Sequence, residues 1–200
     1  MSARPRSFVR TWFSGYGGPL RFVRELEGAP APQTGFYAVL LRAVMDSLLI
    51  YLPLALLGRQ PSLPSALSFL PTERYYAVSV FFMPPYLLLQ WLLVSGAMHV
   101  VLRLARRPSD MDRILNVKGM TALVVGAVLV PWDWLWILMG WHNEVLLGIS
   151  HLVLVVWGIL LGSLFLNRSL GVRMWLAVAL DVGGVALAVP ISSVVVRAPV

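Results

Sequence analysis

The feature that most constrains this chain is a series of apolar blocks, each about twenty residues long, with only short polar breaks between them. A helix of that length crosses a hydrocarbon core of ~30 Å, because it rises about 1.5 Å per residue. In lipid the backbone must satisfy its own hydrogen bonds, so each block is confined to helix. The pattern predicts spans over 37–57, 73–104, 117–138, 145–166 and 172–196. The expected fold class is all-α: a polytopic membrane protein, a five-transmembrane-helix bundle behind an arm covering 1–36. Composition agrees, with 58% of residues hydrophobic and 12% charged, where soluble domains carry about 25% charged residues.

The second block, from Glu73 to Leu104, is too long for one straight crossing. Pro84 and Pro85 divide it, and consecutive prolines withhold two backbone donors. A kink is expected there, with 73–82 an outer interfacial piece and 85–104 the crossing itself.

Positive charge orients the bundle. Of the sixteen lysines and arginines, Arg4, Arg6, Arg10, Arg21 and Arg24 lie in the arm. Arg103, Arg106, Arg107, Arg113 and Lys118 lie between the second and third spans, and Arg168 and Arg173 between the fourth and fifth. Only Arg59, Arg74 and Arg197 fall on the opposite side, and Arg42 is inside the first span. Positively charged loops stay in the cytoplasm, so the amino terminus is expected inside and the carboxyl terminus outside. The central loop, with Arg103, Arg106, Arg107, Arg113 and Lys118, becomes the expected cytoplasmic contact surface. The net charge of +7 sits beside apolar helices and is read as topology and contact with anionic lipid, not as a nucleic-acid interface. The chain has no cysteine, which excludes disulfides and thiol chemistry.

The arm carries two amphipathic pieces. Phe8, Val9, Trp12 and Phe13 form one; Leu20, Val23 and Leu26 form the other, opened by Pro19. Broken by Gly15–Tyr16–Gly17–Gly18, they are expected as interfacial helices on the cytoplasmic leaflet. Residues 29–32, Ala-Pro-Ala-Pro, make a stiff connector.

Charged groups inside a span cost about 2.5–3.5 kcal/mol each and are functional candidates by default. Asp46 and Asp181 each fall nine residues into spans of the same direction, at similar depth. Arg42 precedes Asp46 by one helical turn, and His99 lies near the inner end of the second span. Arg42, Asp46, His99 and Asp181 are expected to form an intramembrane polar cluster. It reads either as a clamp between helices or as a proton or cation site. On the outer side Asp133, His142, Glu144 and His151 form a second polar set. Their spacing matches no zinc motif, so no metal and no cofactor is expected. Asp133, between two tryptophans, is expected to accept hydrogen bonds from backbone, indole or imidazole groups. Gly158 and Gly162 have the small-xxx-small spacing that lets helices approach within the bundle. No nucleophile elbow and no phosphate-cradling loop is present, so the chain is not expected to be an enzyme.

The basic arm with Pro19-Leu20-Arg21-Phe22-Val23-Arg24, the five spans, and a charged central loop leading into Gly119-Met120-Thr121-Ala122-Leu123-Val124-Val125-Gly126 together resemble the bacterial branch of the Yip family. These are multi-pass membrane proteins whose relatives interact with Ypt/Rab GTPases. The resemblance covers roughly residues 19–196. It implies a five-span helical fold with a cytoplasmic amino terminus in a bacterial inner membrane, and carries no binding residues over. It also implies a non-enzymatic membrane organiser, adaptor or accessory subunit that contacts membrane lipids or a membrane-protein partner in a larger complex. The alternative is a small proton- or cation-coupled transporter working through the intramembrane Asp/His/Arg cluster.

Overall fold

The computed structural model describes residues 7–28, 33–61, 63–67, 70–141 and 143–197, and among them every regular element is helical. Two short helices, α1 (Phe8–Ser14) and α2 (Pro19–Glu27), precede five helices long and apolar enough to cross a membrane. The first of the five is composite: α3 (Gln33–Asp46), a π-helical turn (Ser47–Tyr51) and α4 (Leu52–Leu56). The other four are α5 (Tyr75–Leu104), α6 (Met111–Leu138), α7 (Glu144–Leu170) and α8 (Met174–Val195). These lengths and this apolarity are those of an integral, multi-pass membrane protein.

Local chemistry sets the helix ends. Asp110 caps α6 by accepting the Arg113 N–H at 3.2 Å, and Asn143 caps α7 by accepting the Leu146 N–H at 3.1 Å. Gly171, at φ 65°, closes α7 in the left-handed region, where a residue without a Cβ fits best. Because α6 starts at its Asp110 cap, ahead of the apolar run beginning at 117, Lys118 lies inside the helix and not in the loop.

Prolines act differently at two places. α5 continues through Pro84 and Pro85 as one helix of 30 residues, about 45 Å along its length. A bilayer helix tolerates the two lost donors because surrounding groups adjust to the freed carbonyls. In the first span Pro53 has no N–H for the Leu49 carbonyl four residues back, and its ring crowds that oxygen. The backbone widens there into the π turn, and Trp134 Nε1 on α6 donates to the Leu49 carbonyl at 2.5 Å.

Cross-helix contacts fix the directions. Gly35 lies against Gly119, Arg42 against Gly126 and Leu49 against Trp134, so the first span and α6 run parallel. Asp133–His151, Trp132–Ser150 and Arg113–Ser169 make α7 antiparallel to α6. Phe36–Trp91 and Tyr51–Tyr76 make α5 antiparallel to the first span, and Tyr75–Val195 and Tyr86–Ser192 make α8 antiparallel to α5. The helices therefore alternate in direction. One end gathers Arg103, Arg106, Arg107, Arg113, Arg168 and Arg173; the other gathers Trp132, Trp134, Trp136 and Trp141. They are called the arginine end and the tryptophan end below.

Close approach, not removal from water, holds helices together in lipid. A Cβ on Gly119 would overlap the Gly35 backbone, so this glycine pair lets the first span and α6 touch at the main chain. The Gly35 N–H donates to Asn116 Oδ1 at 2.7 Å in the same contact. A Cβ on Gly158 would meet Val125 at 3.1 Å and one on Gly162 would meet Asp181 at 2.8 Å, so both glycines of that spacing serve packing within the chain.

Candidate functional site

The intramembrane charges divide into two layers. In the arginine half, Asp181 on α8 is fully buried. Lys118 Nζ on α6 donates to its Oδ1, and Ser163 Oγ on α7 donates to its Oδ2 at 2.8 Å. Gly162 leaves the room that the carboxylate occupies. Three helices thus meet on one carboxylate, and both of its oxygens have partners.

The second layer lies toward the tryptophan end. Arg42 Nε donates to Asp46 Oδ2 at 2.8 Å, and the guanidinium fills the notch left by Gly126, where a Cβ would overlap it. Asp46 is only 7% exposed, yet its Oδ1 has no hydrogen-bond partner among the described residues, and neither has Arg42 Nη1. Nearby, Asp133 Oδ1 lies 2.8 Å from His151 Nε2, a hydrogen bond in which the imidazole N–H donates to the carboxyl oxygen. Asp133 is buried and His151 partly exposed.

Both pairs line one cavity of about 330 Å³, together with Gln90, Tyr86 and Ser192. Gln90 Nε2 donates to Ser192 Oγ at 2.9 Å, and the Tyr86 and Ser192 hydroxyls are 2.8 Å apart. Val196 and Arg197 also line it, at the tryptophan end. The Arg197 guanidinium is turned to the carbonyls of Pro64, Ser193 and Val196. Two further cavities, of about 300 and 280 Å³, share Arg42 and Leu87 with the first and reach Lys118. Arg42 and Leu87 thus border all three cavities, and Lys118 borders the second and third.

The expected cluster of Arg42, Asp46, His99 and Asp181 is thus separated. Arg42 and Asp46 pair in the first span, Asp181 pairs with Lys118, and His99 Nδ1 lies 2.8 Å from Ser109 Oγ at the arginine end. Of the outer set, Asp133 and His151 come together, with imidazole as the group facing Asp133. Glu144 opens α7 and its side chain, like all of His142, lies outside the described residues. Arg103, Arg106 and Arg107 are exposed at the arginine end, and Arg113 joins Asp110 at 3.3 Å and the Ser169 carbonyl at 2.9 Å. Lys118 leaves that surface: its side chain is mostly buried, because about two turns of helix separate it from the Asp110 cap.

Sequence reasoning missed Gln90, Tyr86, Ser192 and Ser163. Gln90 carried a usable signal, a lone amide inside an apolar block. The serines did not, since serine is common at helix contacts in membranes. Compared with family models, with curated proteins and with solved structures, the chain matches none. What the fold and site define is a class: a five-span helical membrane protein with a polar cavity in one half of its bundle.

Proposed function

We propose that the protein carries protons or small cations, with the cavity at the tryptophan end as its binding site. The observation that supports this most is Asp46, a residue lining a polar cavity, whose buried Oδ1 has no hydrogen-bond partner among the described residues. Arg42, Asp46 and Asp133 bring one formally positive and two formally negative groups to the cavity lining. A buried net charge is costly unless compensated. A proton or a small cation held between Asp46 and Asp133 supplies the compensation. Tyr51 and Tyr86 face the same space as neutral hydroxyls, and Arg197 stays at the rim.

In this reading the arginine end faces the cytoplasm, as the positive-inside rule requires, and the cavity takes its cation from the outer side of a bacterial inner membrane. The Lys118–Asp181–Ser163 layer closes the path toward the cytoplasm. The test is flux. Proteoliposomes with an internal pH-sensitive dye and an imposed membrane potential should dissipate the gradient, and Asp46→Asn should abolish the signal. Wild-type vesicles no faster than protein-free ones, for protons and for alkali cations alike, would overturn the proposal.

A second reading is supported by the exposed Arg103, Arg106 and Arg107. They suit a Yip-like organiser or adaptor that contacts anionic lipid or a membrane-protein partner at the arginine end. Co-purification of a partner in mild detergent, lost when these three arginines become serine, separates that reading from transport.

A further inference from the structure

Of the two helices in the α1–α2 hairpin, α2 buries Phe22, Val23 and Leu26 and exposes Arg21, Arg24 and Glu27, whereas α1 carries its polarity the wrong way round for a segment in water. α1 buries its hydroxyl residues, Thr11 at 1% and Ser14 at 2% exposure, and exposes Val9 and Phe13 at 54% and 57%. The two hydroxyls need no solvent: Thr11 Oγ1 donates to the Ser7 carbonyl at 3.3 Å and Ser14 Oγ to the Thr11 carbonyl at 2.6 Å. Apolar Phe8 and Trp12 pack inward against the bundle, so α1 has apolar side chains on both faces, with the exposed Arg10 as its one charge, held by Glu25 of α2. Bare apolar side chains such as Val9 and Phe13 suit a protein or lipid neighbour better than water.

The hairpin also has a definite depth. At its foot, Ser169 Oγ donates to Glu27 at 2.7 Å, beside Arg113, which donates to the Ser169 carbonyl. At its tip, Tyr16 donates to the Val124 carbonyl of α6 at 2.8 Å. From Arg113 to Val124 is a rise of about 16 Å. With the outer edge of a ~30 Å hydrocarbon slab set at Leu138, the slab takes about twenty residues of α6 and begins at Gly119. Tyr16 then sits roughly 8 Å below the lipid surface. The arm is fixed there: Phe22, Val23 and Leu26 are buried against Met120 and Phe165, and Arg10 Nε donates to Glu25 at 3.0 Å, tying α1 to α2.

We propose that α1–α2 is a re-entrant hairpin that binds the lipids of one leaflet. Val9, Phe13, Tyr16 and Leu20 lie among acyl chains, and the exposed Arg21 reaches back to anionic headgroups. The occupant is lipid because the bare apolar side chains sit level with the lipid-facing part of α6 and α7, and the charge beside them is positive. The long stem of arginine allows its head to return to the interface.

The absence of cysteine makes the test direct. Phe13→Cys and, separately, Leu20→Cys in the full chain are labelled with an environment-sensitive dye and reconstituted in vesicles of phosphatidylcholine and phosphatidylglycerol. Both sites are exposed, so neither change threatens the fold, and Arg106→Cys serves as the aqueous reference. The hairpin labels should emit blue-shifted light, be quenched by bromine on lipid acyl chains and resist iodide. Quenching by iodide to the level of Arg106→Cys would overturn the proposal. Shielding from both quenchers would overturn it too, by showing that another protein surface covers the hairpin.

Discussion

Lys118–Asp181 and Arg42–Asp46 are both cation–carboxylate pairs inside one helical bundle, yet they are finished differently. Asp181 has partners on both oxygens and no exposure; Asp46, whose residue lines a cavity, has one oxygen bonded and the other buried with no hydrogen-bond partner among the described residues. Taking a carboxylate into low dielectric costs several kcal/mol, recovered only when its lone pairs are filled. The arginine half meets that condition within the chain. The tryptophan half leaves it unmet, which separates a clamp from a site: what the protein does not supply, a ligand, proton or water must.

The contrast breaks most visibly at Asp181. Asp181→Ala strands Lys118 among α6, α7 and α8 and should cost about 3–5 kcal/mol. Thermal unfolding in detergent reads this directly. Lys118→Met combined with Asp181→Leu should recover most of the loss, since a buried pair is often replaceable by apolar side chains of similar size. A single mutant as stable as wild type would mean that the pair is not a clamp.

Gly119→Ala tests the shared frame on which both layers hang. The added methyl meets the Gly35 backbone, which cannot rotate away, so the first span must separate from α6 at a cost of about 1–3 kcal/mol. Asn116, bonded to the Gly35 N–H, is disturbed in the same step. Unchanged stability would place the strength of that helix pair elsewhere along its length.

Asp46→Asn should behave in the opposite sense to Asp181→Ala. It keeps an acceptor for Arg42 in a cavity that can hold water, so stability should fall by only about 1 kcal/mol, while cation flux is lost. A large stability loss with flux intact would exchange the roles assigned to the two layers.

Much of this frame was legible in the chain and some was not, for identifiable reasons. Spans announce themselves because lipid tolerates few alternatives to an apolar helix, and Arg42 and Asp46 were joined by their four-residue spacing. Asp181 meets Lys118, which reads as a loop residue from hydropathy alone: hydropathy marks where a helix becomes apolar, whereas the Asp110 cap marks where it begins. His99 has the expected depth but bonds Ser109, a contact that depends on how the loop after α5 folds back. Asp133 and His151 are eighteen residues apart on antiparallel helices, a distance no local pattern encodes. The outward apolar face of α1 was visible in sequence only as an amphipathic cluster. Which side of it meets protein is decided by Tyr16 reaching Val124.

The smallest expected effect lies where the backbone itself turns toward the site. Trp134→Phe removes the indole donor from the Leu49 carbonyl and should cost about 1 kcal/mol, the usual net value of such a bond. Pro53→Ala restores a backbone N–H one turn beyond the same carbonyl, which then no longer needs the indole. In the Pro53→Ala background, Trp134→Phe should therefore be nearly neutral, and a double-mutant cycle should return a coupling of about 1 kcal/mol. Additive effects would show that Trp134 and Pro53 do not serve the same oxygen. The cycle also reaches the cavity, because the π turn immediately follows Asp46 and shifts the facing of every residue beyond it. If Pro53→Ala regularises that turn, Ile50 and Tyr51 rotate along the cavity wall, and flux should change even though no charged group has been touched.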